Sequence, residues 1–238
     1  MKPFIYKWSH ESIKDFWDGV SVQWPDEYAG LFCGKHIVRF AQKHIKLEGN
    51  ILDFGCGRGY MFTYLKNPAA KLYIADQSPE EVKCAKELLS SQSNFVGGEV
   101  ISPTFFEKFH NHFQVVFLSE VLEHVLPEDL PEFIKNIYGL MKDQGYLIIA
   151  VPNRSDSNRL DSLCPNCGAI YNMAQHHTAW TKEKLDTYVA SVGLKYVCHQ
   201  ETTLPMVKNE LWIIRFLKKY WNLYKYKHQP DLMYLCKK

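Results

Sequence analysis

Between residues 50 and 200, short apolar runs closed by Gly, Pro, Asn or Asp alternate with stretches whose apolar residues recur three and four positions apart. The runs predict strands at 50–54, 71–75, 93–97, 113–118, 145–151 and 194–201, with a last one at 231–237. The helical periods predict helices at 58–66, 79–90, 128–141 and 181–192. Ser78 suits an N-cap with Pro79 and Glu80 in the first turn, and Thr181-Lys-Glu-Lys starts a helix after Trp180. This alternation predicts βαβ units and a parallel sheet.

Three stretches fall outside the alternation. Residues 1–49 carry Trp8, Phe16, Trp17 and Trp24 and are expected to form helices capping a site. Residues 152–180 form an insertion carrying Cys164 and Cys167, and residues 205–229 form a basic, aromatic helix between the last two strands. No repeat or low-complexity segment breaks the pattern.

Composition narrows the class. A chain of 238 residues fits one α/β domain with appendages. Its 28 basic and 26 acidic residues give a net charge of +2, so no global field draws it to nucleic acid. There is no signal-peptide pattern, and no window approaches the ~18 apolar residues of a membrane span. Seven cysteines, scattered except for one pair, read as reduced thiols. The expectation is a soluble cytoplasmic protein.

The chemistry begins where the first strand ends, at Ile51-Leu-Asp53-Phe-Gly55-Cys56-Gly57-Arg-Gly59. An apolar run, an acid and alternating glycines describe a strand turning tightly beneath a ligand that lies against bare backbone. Asp76 ends the next strand at the spacing of a ribose-binding carboxylate. A dinucleotide fingerprint would need a third glycine at Tyr60, and no Gly-Lys-Ser/Thr marks a P-loop. A nucleotide domain of another Rossmann-like kind stays open on these residues alone.

The Asp-x-Gly-x-Gly-x-Gly motif resembles the first motif of class I S-adenosylmethionine-dependent methyltransferases. The resemblance continues through Phe113–His124, Leu140–Asn153 and His176–Leu185. Its nearest subgroup is the small-molecule O-methyltransferases of the ubiquinone-biosynthesis type. It implies a Rossmann-like, seven-stranded, mostly parallel sheet flanked by helices with the last strand antiparallel. Residues 1–49 would form the helical cap and 50–238 the methyltransferase domain. It also implies that Asp53, Gly55, Cys56, Gly57 and Gly59 surround the methionine end and ribose of S-adenosylmethionine, and that Asp76 takes the ribose hydroxyls. Ser119 would line the methionine portion and Gln77 the adenosine. Glu99, in Val96-Gly-Gly-Glu, stands in for the acid that usually binds the adenine amino group.

Methyl transfer is an in-line displacement on an activated sulfonium, so holding the reactants aligned supplies much of the rate. An acceptor hydroxyl also gains from a base. His124, just beyond the fourth strand, is the candidate, with Glu120 or Glu123 orienting it or approaching the cofactor. The alternative is that Glu123 and His124 only fix a turn. Methylation of a small amine needs no such base, and a cofactor-binding protein without catalysis is a third possibility. Ser119-Glu-Val-Leu stands where a nucleic-acid methylase would carry an Asn-Pro-Pro-Tyr-type motif.

Cys164-Pro-Asn-Cys167-Gly168 has the spacing of half a structural zinc site, with His177 or His176 as a third ligand and Cys198 or His199 as a fourth. The competing reading gives both histidines to substrate or cofactor. Residues 206–228 interleave lysines with aromatics, and two readings stand. Either the helix makes weak contact with a membrane surface, or it packs its apolar side on its own domain and leaves the lysines in water.

Overall fold

The computed structural model describes residues 2–25, 28–154, 160–205, 211–226 and 230–238, except for the side chains of 224–226. Its strands are β1 (Phe4–Ile5), β2 (Gly49–Phe54), β3 (Ala70–Asp76), β4 (Phe95–Val100) and β5 (Phe113–Ser119). β6 (Met141–Pro152), β7 (Asp161–Leu163), β8 (Ala169–Asn172), β9 (Lys195–Thr202) and β10 (Asp231–Lys237) follow. The helices are α1 (His10–Gln23), α2 (Ala29–His44), α3 (Pro79–Leu89), α4 (Pro103–Lys108), α5 (Leu130–Leu140), α6 (Lys182–Ala190) and α7 (Trp212–Tyr226).

Seven strands form the main sheet in the order β4-β3-β2-β5-β6-β10-β9. The pairs from β4 to β6 are parallel, and β10 is antiparallel to both β6 and β9. This is the Rossmann-like sheet with a reversed last strand that the motifs imply. Alternate residues feed two cores. Leu52, Phe54, Val116 and Leu118 face the layer of α4, α5 and α6, whereas Ile51, Leu72, Val115 and Phe117 face α2 and α3. Asp53 pairs with Ile74 and Phe117 in register, so the C-terminal ends of β2, β3 and β5 come level at one edge. That edge is where open α/β sheets take ligands.

Three features differ from the sequence reading. The helix expected at 58–66 is only a 3-10 turn over Tyr60–Tyr64. Gly59 enters it in a left-handed conformation, and Pro68 limits it from the other side. α2 also packs directly on the turn, since a Cβ on Gly34 would lie 2.8 Å from Met61 Cα. α4, six residues behind the Ser102 N-cap, is too short to show a period. Finally, β7 and β8 of the insertion form a hairpin that β1 joins in parallel, a three-stranded sheet with no counterpart in the sequence reading.

α7 departs from the expected packing. Its inward contacts are polar: Arg215 Nη1 pairs with His36 Nε2 at 2.8 Å, and Asn222 Nδ2 donates to Thr203 Oγ1 at 3.3 Å. Its large apolar residues are exposed, Trp212 by 70% and Trp221 by 60%. Residues 206–210 and 227–229, on either side of this helix, lie outside the described residues. Among the described residues, no helix is long and apolar enough to cross a membrane.

Candidate active site

The glycine loop leaves β2 and folds across the end of β3, because Gly55 N and Cys56 N both donate to Ala75 O, at 2.8 and 3.1 Å. Gly55, Gly57 and Gly59 take φ of +76°, +48° and +76°, where a side chain is strained. A Cβ on Gly55 would lie 2.5 Å from Val121 Cγ2, and one on Gly57 2.8 Å from the Tyr28 ring. The Cys56 thiol donates to Gly57 O at 3.2 Å, and burial holds it well above its ordinary range.

Asp76 closes this half of the site. Its Oδ2 accepts from Gly57 N at 2.9 Å and its Oδ1 from Ser78 N at 3.0 Å. Burial raises the Asp76 pKa, and these amides oppose the rise. Asp53 is 2% exposed, and burial together with the charge of Asp76 pushes it up to about 8. Ser119 Oγ is buried without a hydrogen-bond partner, and Gln77 is exposed beside Asp76. Glu99 forms an ion pair with Lys108.

Tyr28, just before α2, is a site residue that sequence reasoning missed. Its ring covers Gly57, and its hydroxyl donates to Glu81 Oε1 at 2.9 Å. Arg58 Nη2 donates to Ser21 O at 3.0 Å, while its Nε lies 3.6 Å from Glu81 Oε2. These contacts tie α1 and α3 across the loop. Arg58, within the motif, was the one local signal for them.

The second half of the site lies beyond β5. Glu120 adopts φ +53°, which turns the chain into a 3-10 turn over Leu122–His124. The insertion docks on that turn, with His177 N donating to Glu123 O at 2.7 Å. Gln175, fully buried, locks the arrangement. Its Oε1 accepts from Trp17 Nε1 at 2.7 Å, and its Nε2 donates to His124 O at 3.3 Å. Nothing in the sequence singled out Gln175 beyond its place beside two histidines.

His124 Nδ1 lies 3.3 Å from Gln175 O, an acceptor only, so Nδ1 carries the proton and Nε2 keeps its lone pair. The ring packs edge-on against Trp17 at 4.7 Å and beside His176 at 5.0 Å. Burial, then the neighbouring His176, lowers the His124 pKa to about 3, and burial lowers His176 to about 4. Both rings are neutral near pH 7.

Glu123 is 1% exposed, and apart from the neighbouring Glu120 carboxyl neither oxygen has a hydrogen-bond partner; Oε1 lies 4.0 Å from His124 Nε2. Burial pushes Glu123 up to about 7, and burial with the charge of Glu123 raises Glu120 further. The positive field of Arg154, another residue not foreseen from the sequence, opposes both rises. Ligand atoms of Glu123, His124 and His176 lie within 4.8 Å of one another, close enough to share one cation or one acceptor hydroxyl.

The cysteine pair sits elsewhere in the insertion. Amides of Cys167 and Asn166 point at Cys164 Sγ and lower its pKa. Cys164 N donates to Ala169 O and Gly168 N to Cys164 O, closing the turn between β7 and β8. Among the described residues, no third His, Cys, Asp or Glu donor gathers with the two thiols. His177 Nε2 instead lies 2.6 Å from Gln175 Nε2.

Comparison with known proteins fits this geometry. The sequence profile of a family described as a methyltransferase domain matches residues 26–199. The chain is 32% identical over 111 residues to a ubiquinone biosynthesis O-methyltransferase of Rickettsia felis, covering 46% of this chain and 43% of that protein. It is 29% identical over 108 residues to ribosomal RNA small subunit methyltransferase C of Pseudoalteromonas atlantica, covering 43% of this chain and 31% of that protein. The chain thus spans less than half the length of these curated relatives. Among solved structures, it is similar to the 1,6-didemethyltoxoflavin N1-methyltransferase of Burkholderia thailandensis, which was solved with S-adenosylhomocysteine. That match has a TM-score of 0.61 and 18% identity, over 99% of this chain and 93% of that one.

Proposed function

Because the chain belongs to the family of methyltransferase domains, we propose that it moves the methyl group of S-adenosylmethionine to an oxygen of a small-molecule acceptor. The observation that carries the oxygen assignment is the Glu123 carboxylate, buried with no partner but the neighbouring Glu120 carboxyl, beside the lone pair of His124 Nε2. Leaving such a group short of partners costs about 1–3 kcal/mol or more, so it serves something that binds there.

The residues fit the cofactor on the same physical grounds. In this reading Asp76 holds the ribose hydroxyls, and Asp53 and the bare loop backbone receive the methionine end. Ser119 offers its orphaned hydroxyl beside them. The bound donor supplies a sulfonium methyl. Methyl transfer to an acceptor oxygen would leave that oxygen's proton to be taken up. The hydroxyl proton passes to Glu123, or to His124 Nε2, while Gln175 holds the imidazole in that tautomer. Alignment alone supplies roughly 7–11 kcal/mol of the barrier. The aromatic residues of the cap, Trp8, Phe16 and Trp17, favour a flat acceptor, and the near-neutral net charge favours a small molecule over nucleic acid.

A second reading shares the same groups: Glu123, His124 and His176 hold a divalent cation that lowers the pKa of the acceptor hydroxyl. One experiment separates the two. The protein is incubated with labelled S-adenosylmethionine and small-molecule extracts, with and without a chelator, and products that gain one CH₂ are identified. Chelator-resistant O-methylation supports the proton-acceptor reading, and chelator-sensitive O-methylation restored by added metal supports the cation. A product methylated on nitrogen overturns the oxygen assignment.

A further inference from the structure

α7 is amphipathic, and the hydrogen bonds that hold it to the domain come from its polar residues. Arg215 and Asn222, both half-buried, hold it to α2 and to the end of β9. Trp212, Ile213, Phe216, Leu217, Tyr220 and Trp221 are 70, 48, 49, 62, 58 and 60% exposed. An apolar face this continuous marks a contact surface. The helix sequence Trp212–Tyr226 contains no acid, and Arg215, Lys218 and Lys219 lie along it.

Beneath the helix, between α7, α2 and the β9–β10 edge, lies a cavity of about 450 Å³. Arg39, Lys43, Arg215 and Lys219 line it, with Trp212 and Phe216 of the exposed apolar face and Phe40 and Met233 among its apolar lining, and no Asp or Glu among the described residues. His36, also in the lining, is lowered to about 4 by burial, then by Arg215, Arg39 and Lys35. A cationic pocket thus opens at the foot of an exposed apolar face, and Trp and Tyr rings on that face suit the polar–apolar boundary of a bilayer.

We propose that α7 is a membrane-surface anchor: it lies flat in the interfacial layer of a bilayer containing anionic phospholipid, with a lipid phosphate held in the basic cavity. Charge selects this occupant over a second copy of the chain. A symmetric pair through α7 would set the basic residues of one copy against those of the other. The proposal is independent of the methyl acceptor and stands whichever atom is methylated.

Flotation of the full chain with vesicles tests it. At low salt, at least ten-fold more protein should float with phosphatidylcholine–phosphatidylglycerol vesicles than with phosphatidylcholine alone. Each cation near an anionic surface contributes about five-fold, so Lys218→Ala with Lys219→Ala should reduce binding by about 25-fold. Ile213→Asp with Leu217→Asp should abolish it, and Arg39→Glu with Lys43→Glu should remove the preference for anionic lipid. Matching circular dichroism and melting curves keep these variants interpretable, because all the altered side chains except the half-buried Lys218 are exposed. Soluble glycerol phosphate, which carries the phosphate without the bilayer, should not shift the melting temperature as anionic vesicles do. Equal flotation with both vesicle types, or none, overturns the proposal. So does a dimer by light scattering that Ile213→Asp with Leu217→Asp dissolves, or stabilisation by glycerol phosphate equal to that by vesicles.

Discussion

The glycine-loop half and the Glu123–His124 half of the site differ in the reach of the contacts that build them. The hydrogen bond from Gly57 to Asp76 spans 19 residues and follows directly from pairing β2 with β3. The bonds that place His124 span 51 residues to Gln175, and Gln175 is held in turn by Trp17 across 158. The first half therefore exists once two neighbouring strands pair. The second exists only when α1, the β5 turn and the insertion are docked together. A site assembled this way places its adaptable chemistry on the parts with fewest local contacts.

The strongest test of this division is at Glu123 and His124. His124→Ala should lower turnover at least ~100-fold, and Glu123→Gln should do the same, while affinity for S-adenosylhomocysteine by calorimetry changes by less than about three-fold. Loss of both activities together would erase the distinction between the halves. In the native protein, kcat/KM should rise through about pH 7 as Glu123 ionises, and His124, lowered to about 3, should add no limb near neutrality.

Asp76→Ala should show the converse. It removes the partner of two backbone amides and weakens S-adenosylhomocysteine binding by about 10- to 100-fold, with folding retained by circular dichroism. Gln175→Leu probes the long-range half alone. It leaves Trp17 Nε1 without its acceptor, and the urea midpoint should report a loss of about 1–3 kcal/mol.

Acidity gives a broader signature. Asp53 at about 8, Glu123 at about 7 and Asp231 at about 6 all lie above the values near 4 of unfolded carboxylates. The folded chain holds protons that the unfolded chain releases, so their stabilisation is complete below about pH 4 and is lost as pH rises toward 8. Urea midpoints should fall across that range, and Asp53→Asn should flatten the upper part. The smallest effect is expected at the exposed pair of Lys108 with Glu99, where Lys108→Met should change stability by less than about 1 kcal/mol.

The same contrast of reach explains how much could be read from the residues alone. All seven main strands, the loop and Asp76 were visible because each depends on a local run or on two adjacent runs. The residues from Arg58 predict a longer helix than the turn at Tyr60–Tyr64, since its limit is α2 packing through Gly34, some thirty positions earlier. Tyr28, Arg154 and Gln175 carried no signal, because their roles come from partners brought near only by the fold. α7 showed its amphipathic period plainly, but a period does not say which residues hold the helix to the domain. That was set by His36 and Thr203.

The position of β10 also bears on how the chain is made. It lies between β6 and β9, pairing with both, and carries the fully buried Tyr234 and Leu235. Synthesis from the N-terminus delivers β6 and β9 well before residue 231, so both wait at the ribosome with open edges until the keystone strand emerges. A nascent chain in this state presents two unpaired edges, the form most prone to mispair with its neighbours. Translation speed through residues 203–237 therefore sets how long that exposure lasts.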